Sequence, residues 1–434
     1  MDVYRLPPGL RLPRWRAGTQ AGEWVVWHEG TGETLRLSAA AVQLLDRLAA
    51  GPCRRPQLRA ALRDALNDPP ADELLDLALD EFIEPLVKHE LIEPCADGDD
   101  GRAVAPAPIP RASSTDPPPP PAAAVPPLDT AGPRVGGLTA HELARRLRTG
   151  LALRSGPFVF RIQSRLGSVA ENLHRLYADH PLAEEDFADF HVCVRALTGL
   201  RRLVRPQAQF ELDGQRPFKP LPLDQAHALL EWGMNWCIAN HAHHYLILHA
   251  AVLARNGHAL LLPGEPGAGK STLTAALMLD GWRLLSDELT LIDRHDGLVY
   301  GLARPVSLKN ASIAVIRAHA PQAVFGTVAR DTHKGTVAHL KPTADSVARV
   351  HEPARPAWIV FPRWRPDTPA RLTPHDPGAA FLHLASHAFN YAALGRLGFE
   401  LTARLMASCS CWEFAYSELS EALAVFRDLA EGRP

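Results

Sequence analysis

Lysine is scarce in this chain. Only six of its 46 basic residues are lysines (Lys88, Lys219, Lys270, Lys309, Lys334 and Lys341), so arginine carries the ordinary surface charge. A lysine here is a compact point charge where most basic positions offer a planar fork, and four of the six fall between positions 270 and 341. The six cysteines, Cys53, Cys95, Cys193, Cys237, Cys409 and Cys411, never form C-x-x-C, which argues against a zinc or dithiol redox site and for reduced, mostly buried thiols. An excess of charge is also missing. With 46 basic against 48 acidic residues the formal charge is −2, so no global basic field points to nucleic acid or an anionic membrane as partner. No apolar run is long enough to span a bilayer, and Met1, Asp2, Val3, Tyr4 and Arg5 lack the charged-then-apolar layout of a signal peptide. A cytoplasmic location is expected.

What the chain does have is an octet, Gly264, Glu265, Pro266, Gly267, Ala268, Gly269, Lys270 and Ser271, that satisfies G-x-x-x-x-G-K-[ST]. Residues 258–263 read as a buried strand before it, and residues 272–279, from Thr272 on, as the first turns of a helix after it. Glycines in that context turn the backbone so that successive N–H groups converge on one point, where the β-phosphate of ATP fits. Lys270 is then expected to bridge the outer phosphates and the Ser271 hydroxyl to coordinate Mg²⁺. A second signal follows at Asp287 and Glu288, two carboxylates at the end of the next apolar run. One acid to organise Mg²⁺ and one to accept a hydroxyl proton is the pair that phosphoryl transfer needs.

Proline and alanine dominate residues 101–135, including an unbroken run from Pro117 to Pro121. Such a stretch neither pairs into a sheet nor buries a core, and it reads as an extended linker between residues 1–100 and the rest. Before it, residues 24–28 and 34–37 read as two strands around a Gly-rich turn, Ser38 as the cap of a helix through residue 50, and residues 58–66 and 73–87 as two more helices. A hairpin followed by three helices is winged-helix-like. The strand–turn–strand, the segment "LRLSAAAVQLLDRLAAG" and the closing "LVKHELIEP" resemble the PqqD-like peptide-chaperone family. The resemblance implies a module that binds a leader peptide along the hairpin edge and the last helix. DNA binding, the rival for a winged helix, is opposed by Asp72, Glu73, Asp76, Asp80, Glu81 and Glu84 on that last helix.

After the linker, residues 138–147, 169–177 and 223–240 read as helices, the last one long and amphipathic, and residues 157–163, 207–212 and 245–253 as strands. We expect residues 136–240 to form the first part of a kinase region and residues 241–434 its nucleotide-binding α/β domain. "LILHAAVLARNGHALLLPGEPGAGKSTL" followed by "LLSDELTLID" resembles HPr kinase/phosphorylase, and "PFKPLP", "LLEWGMNWCIANHAH", "RPVSLKN" and "HKGTVAHL" resemble its A-type HPr-kinase-related relatives. The resemblance implies an ATP- and Mg²⁺-dependent serine-kinase-like phosphotransferase. In it Asp287 is the base, His249 assists it, and Glu288 and Ser271 organise the metal. Ala250 and Glu288 depart from the parent family's pattern, where glycine and aspartate stand. The acceptor it implies is a hydroxyl on a peptide or small protein presented by the N-terminal module. A nucleotide-gated binding protein and a small-molecule kinase stay open as alternatives, as does a homo-oligomer.

Other polar residues carry weaker signals. Arg304, Lys309 and Asn310 form a cluster that either neutralises a transferring phosphoryl group or simply connects a strand to a helix. His333, Lys334, Gly335 and Thr336 read as a mobile loop over the nucleotide or acceptor. Residues 381–390 and 397–405 read as packing helices, with His383 and His387 at i, i+4.

Overall fold

The computed structural model describes residues 2–17, 22–66, 70–96, 132–183, 187–198 and 205–433. Most of the proline-rich stretch 101–135 lies outside them. Mixed α/β architecture with several sheets follows from the alternation seen in the sequence, and the contacts divide the chain into two units. The first comprises Met1–Pro118, Asp376–Ser386 and Ala392–Ala403; the second comprises Pro119–His375, His387–Tyr391 and Arg404–Pro434.

In the first unit the expected hairpin is Glu23–Trp27 against Thr34–Leu37, widened by Arg14–Ala17 into three strands. Val3–Arg5 pairs with both Cys53–Arg54 and Glu93–Cys95 in a second small sheet that the sequence reading did not contain. The Ser38 hydroxyl accepts from the Ala41 N–H and starts the helix Ala39–Ala49. Arg55–Ala65 and Asp72–Lys88 follow, and their apolar stripes close a core around Leu44, Leu45, Leu58, Leu62, Leu75 and Leu79. Arg55, Arg59 and Arg63 pair with Asp80, Asp76 and Asp72, so three of the acids on the last helix are neutralised within the unit. The helix Pro377–Ser386 packs against the hairpin strands, with Phe381 stacked on Trp15 at 5.4 Å and Asp376 paired to Arg36 at 3.2 Å. A division drawn at the proline-rich stretch does not anticipate that return of the chain.

In the second unit, Leu151–Ser155, Phe158–Ser164, Phe190–Ala196, Gln207–Leu212 and Leu221–Pro222 form a five-stranded sheet. The helix Ala226–His241 packs on it; expected to be amphipathic, it is instead buried on nearly every side, because apolar residues surround its axis. The larger sheet is built around Tyr245–Arg255. His258–Pro263 pairs antiparallel to that strand on one edge, and Arg283–Ser286 and Leu289–Asp293 pair antiparallel on the other. His258–Pro263 and Arg283–Ser286 therefore run the same way. Arg355–Trp364 and then Ser410–Tyr416 continue beyond His258–Pro263 in parallel register. Four strand C-termini thus open on one side of the sheet. A separate three-stranded sheet is made by Val306–Lys309, Gly335–Leu340 and Ala329–Thr332.

The expected helix 381–390 stops at Ser386. Residues 387–390 run instead beside the central strand: His387 O accepts from His249 N at 3.1 Å, and Phe389 N donates to Ile247 O at 2.8 Å. Asn390 closes the strip by accepting from Ile247 N and donating to Tyr245 O. His387 therefore does not share a helix face with His383. Among the described residues no helix is long and apolar enough to cross a membrane.

Candidate functional site

The octet 264–271 joins the strand His258–Pro263 to the helix Lys270–Leu279. Gly264, Gly267 and Gly269 hold φ of 142°, 89° and 90°, the left-handed region that L side chains resist. At Gly269 the constraint is doubled, because a Cβ there would lie 2.5 Å from the Tyr416 hydroxyl oxygen. That hydroxyl donates to Gly269 O at 3.2 Å, and the Trp364 backbone N–H donates to Ala268 O at 3.2 Å, so the loop is braced from the ends of the next two strands of the sheet. Glu265, Pro266 and Gly267 are exposed; Gly264, Ala268, Gly269, Lys270, Ser271 and Thr272 are half-buried. The Lys270 ammonium donates to Gly264 O and to Glu265 O, the latter at 3.2 Å. Burial lowers its pKa, with Asp287 opposing and Lys309 adding to the shift.

Asp287 lies one residue past the strand Arg283–Ser286 and is 7 % exposed. Its Oδ2 accepts from the Ser307 N–H at 2.9 Å and from the Ser271 hydroxyl at 3.3 Å. Its Oδ1 is buried and has no hydrogen-bond partner among the described residues. Burial, and then the neighbouring Glu288 charge, raise its pKa to about 7. Glu288 is held the other way. Burial alone pushes it up, but Lys334, Lys309, His249 and Arg304 outweigh burial and keep the carboxyl below its usual range. Two adjacent acids are thus driven apart, one poised to gain a proton near neutrality and the other ionised. A buried carboxylate oxygen left without a donor, beside the Ser271 hydroxyl and a second carboxylate, is a donor set of hard oxygens that fits Mg²⁺.

Glu288 is fixed by a residue that sequence reasoning missed. Asn235 Nδ2 donates to Glu288 Oε2 at 2.6 Å, and Asn235 Oδ1 accepts from Arg304 Nη1 at 2.5 Å. Arg304 is 5 % exposed and its other nitrogens go to the Glu231 carboxylate and carbonyl and to the Tyr177 hydroxyl. Burial pushes Glu231 up, and Arg304, His227, His339 and Tyr177 outweigh it and hold the carboxyl at about 2. Of the two roles open to Arg304, the structure gives it the internal one. The signal for Asn235 was present as His227, Glu231 and Asn235, polar residues at spacing four in a helix that is otherwise apolar up to Asn240 and His241 at its end.

His249 is half-buried, its ring 5.6 Å from that of Phe389. Burial and then Lys270 lower its pKa, while Glu288 raises it. No hydrogen bond joins the ring to Asp287 among the described residues, so its electrostatic partner among the two acids is Glu288. Lys309 ends the strand Val306–Lys309, and its charge acts on Asp287, Glu288, His249 and Lys270 together.

The segment 333–336 is not a free loop: His333 and Lys334 are the turn of a β-hairpin, and Gly335 and Thr336 begin its second strand. The Thr332 hydroxyl accepts from Lys334 N and donates to Gly335 O, while Asn310 Oδ1 accepts from Thr336 N at 3.0 Å. Asn310 therefore anchors this turn. The Lys334 ammonium lies 5.5 Å above the Trp232 ring, and the His333 ring meets Trp232 edge-on at 5.0 Å.

No family model matches the chain, and no curated protein matches it either. A search of solved structures finds the Hpr(Ser) kinase/phosphatase from Coxiella burnetii at 13 % identity, covering 43 % of this chain and 98 % of that one, with a TM-score of 0.19. At that TM-score the likeness carries no argument about fold or chemistry, and the functional reading rests on the site itself.

Proposed function

We propose that the second unit is an ATP- and Mg²⁺-dependent kinase that phosphorylates a hydroxyl. The observation that carries this reading is the 3.3 Å approach of the Ser271 hydroxyl to Asp287, which joins the end of the glycine-rich turn to a buried carboxyl with a free oxygen. The turn is the phosphate loop of this reading. Its N–H groups and Lys270 bind the β- and γ-phosphates, the lysine exchanging the Gly264 and Glu265 carbonyls for phosphate oxygens. Ser271, Asp287 and Glu288 would hold Mg²⁺, which neutralises charge on the outer phosphates when bound. Asp287 takes the proton of the acceptor hydroxyl as that oxygen bonds to the γ-phosphorus and the bond to the β–γ bridging oxygen breaks, leaving ADP. What fits Asp287 to that task is its place, buried beside the Ser271 hydroxyl with Oδ1 left without a hydrogen-bond partner among the described residues. Lys309 and Lys334 offset the charge around Glu288, and His249 tunes the same acid.

We place a peptide or small protein as the acceptor, with the first unit a PqqD-like, winged-helix-like module that presents it. The hairpin Glu23–Trp27 and Thr34–Leu37 followed by three helices supports that reading. The test is incubation of the full chain with γ-labelled ATP and the peptides encoded beside its gene. Label recovered on a serine or threonine hydroxyl supports the reading; ATP-dependent peptide release without label favours a nucleotide-gated binder.

A further inference from the structure

The parallel strands fix an order of chemistry along the edge of the large sheet. Arg283–Ser286 delivers Asp287 and Glu288, His258–Pro263 delivers the glycine-rich turn beyond the central strand, and Arg355–Trp364 and Ser410–Tyr416 end on the far side. Ligands of open α/β sheets lie outside the carboxyl ends of such strands. With the acids on one flank of the turn, the γ-phosphate belongs there, and the rest of a nucleotide must leave over the opposite flank. Trp364 stands on that flank.

Its position is unusual for so large an apolar side chain. Trp364 is 51 % exposed, yet it is held at two points: its backbone N–H donates to Ala268 O in the turn at 3.2 Å, and its indole N–H donates to Ser417 O at 3.2 Å. Its Cβ lies 3.1 Å from where a Cβ on Gly269 would be, so the ring is carried immediately beside the last glycine of the turn. Arg365 continues the same anchoring, its N–H donating to Tyr416 O at 2.9 Å. A half-exposed ring with a fixed orientation offers a π face without losing side-chain entropy when a flat heterocycle arrives.

We infer that Trp364 is the stacking platform for the nucleotide's base. The inference rests on the nucleotide-binding reading of the glycine-rich turn and adds what recognises the end of the ligand away from the transferred phosphate. It makes the base, and not only the phosphates, a source of affinity, because stacking on an aromatic side chain is sequence-tolerant but substantial.

The test measures binding of Mg-ATP and of magnesium tripolyphosphate, which has no base, to the full-length protein by calorimetry. Trp364→Ala should weaken ATP about tenfold and leave tripolyphosphate unchanged, while Trp364→Phe keeps ATP within about threefold of wild type. Trp364→Leu retains apolar bulk without a π face and should behave like the alanine variant, which guards against a folding defect in either one. Equal weakening of both ligands would make Trp364 a brace for the turn and overturn the inference, as would an unchanged ATP affinity. If wild type binds neither ligand, the phosphate-loop reading fails first and the inference falls with it.

Discussion

Asn235 donates a 2.6 Å hydrogen bond to Glu288 while accepting one from Arg304, so a buried ion pair on one side sets the orientation of the Glu288 carboxylate on the other. Because the amide's oxygen is taken by the guanidinium, its NH₂ must face the carboxylate. Removing this support should act on catalysis more than on ATP affinity. Asn235→Ala is expected to lower kcat by about ten- to a hundredfold, the range found when groups orienting metal ligands are lost, with KM for ATP changing far less. Steady-state kinetics at a fixed Mg²⁺ concentration that just saturates wild type check it, and recovery of the variant's rate at higher Mg²⁺ would show that Glu288 placement is what was lost.

Arg304→Met should cost folding stability, on the order of 3–5 kcal/mol, because it leaves the Glu231 carboxylate buried without its cation. Arg304→Lys should restore little, since one ammonium cannot serve Glu231, Tyr177 and Asn235 at once. The pH dependence has a definite sign. Glu231 titrates at about 2 in the folded state, below its ordinary range, so its contribution is full above the ordinary glutamate range and is lost as pH falls towards 2. Urea unfolding at pH 7 and pH 3 should show a smaller difference between wild type and Arg304→Met at the lower pH.

Asp287 has the opposite sign. Its folded pKa of about 7 lies above the ordinary aspartate value, so the folded protein binds the extra proton and loses stability as pH rises from about 4 to 7. Asp287→Asn should therefore raise the melting temperature without Mg²⁺ at pH 8, with the gain shrinking towards pH 4. Mg²⁺ should stabilise wild type more than the variant. Calorimetric melts at the two pH values, with and without Mg²⁺, measure all four quantities.

Gly269→Ala should disable the glycine-rich turn, because the new methyl meets the Tyr416 hydroxyl and φ stays at 90°. Tyr416→Phe removes the clash with the hydroxyl, together with that hydroxyl's hydrogen bond to Gly269 O, and leaves the positive φ in place. The double variant should regain some ATP affinity over Gly269→Ala alone but remain weaker than Tyr416→Phe, and a binding cycle over the four proteins reads the coupling.

Strand, glycine-rich turn, helix and acid pair were all legible in the sequence because each is local: an apolar run, glycines where φ is positive, and a break at Asp287. The hairpin and the Ser38 cap were legible for the same reason. What escaped was decided by partners distant along the chain. Asn235 and Arg304 are 69 residues apart, and neither residue's neighbours specify that Arg304 turns inward instead of towards phosphate. Residues 387–390 have a helical apolar spacing, yet the unsatisfied edge of Tyr245–Arg255 recruits their backbone groups as an extended strip. The turn at Lys334 looked mobile because glycine and polar residues surround it, and its anchor, Asn310, comes from another strand end.

In the proposed chemistry Asp287 serves as the base in transfer of phosphate to a hydroxyl. Mass spectrometry of candidate peptides and small hydroxyl compounds after incubation with Mg-ATP, wild type against Asp287→Asn, tests it most directly. One acceptor is expected to gain phosphate with wild type, at a rate at least about a hundredfold lower with the variant while ATP affinity changes little. An acceptor phosphorylated equally fast by Asp287→Asn, or none phosphorylated by wild type that binds Mg-ATP, would contradict it.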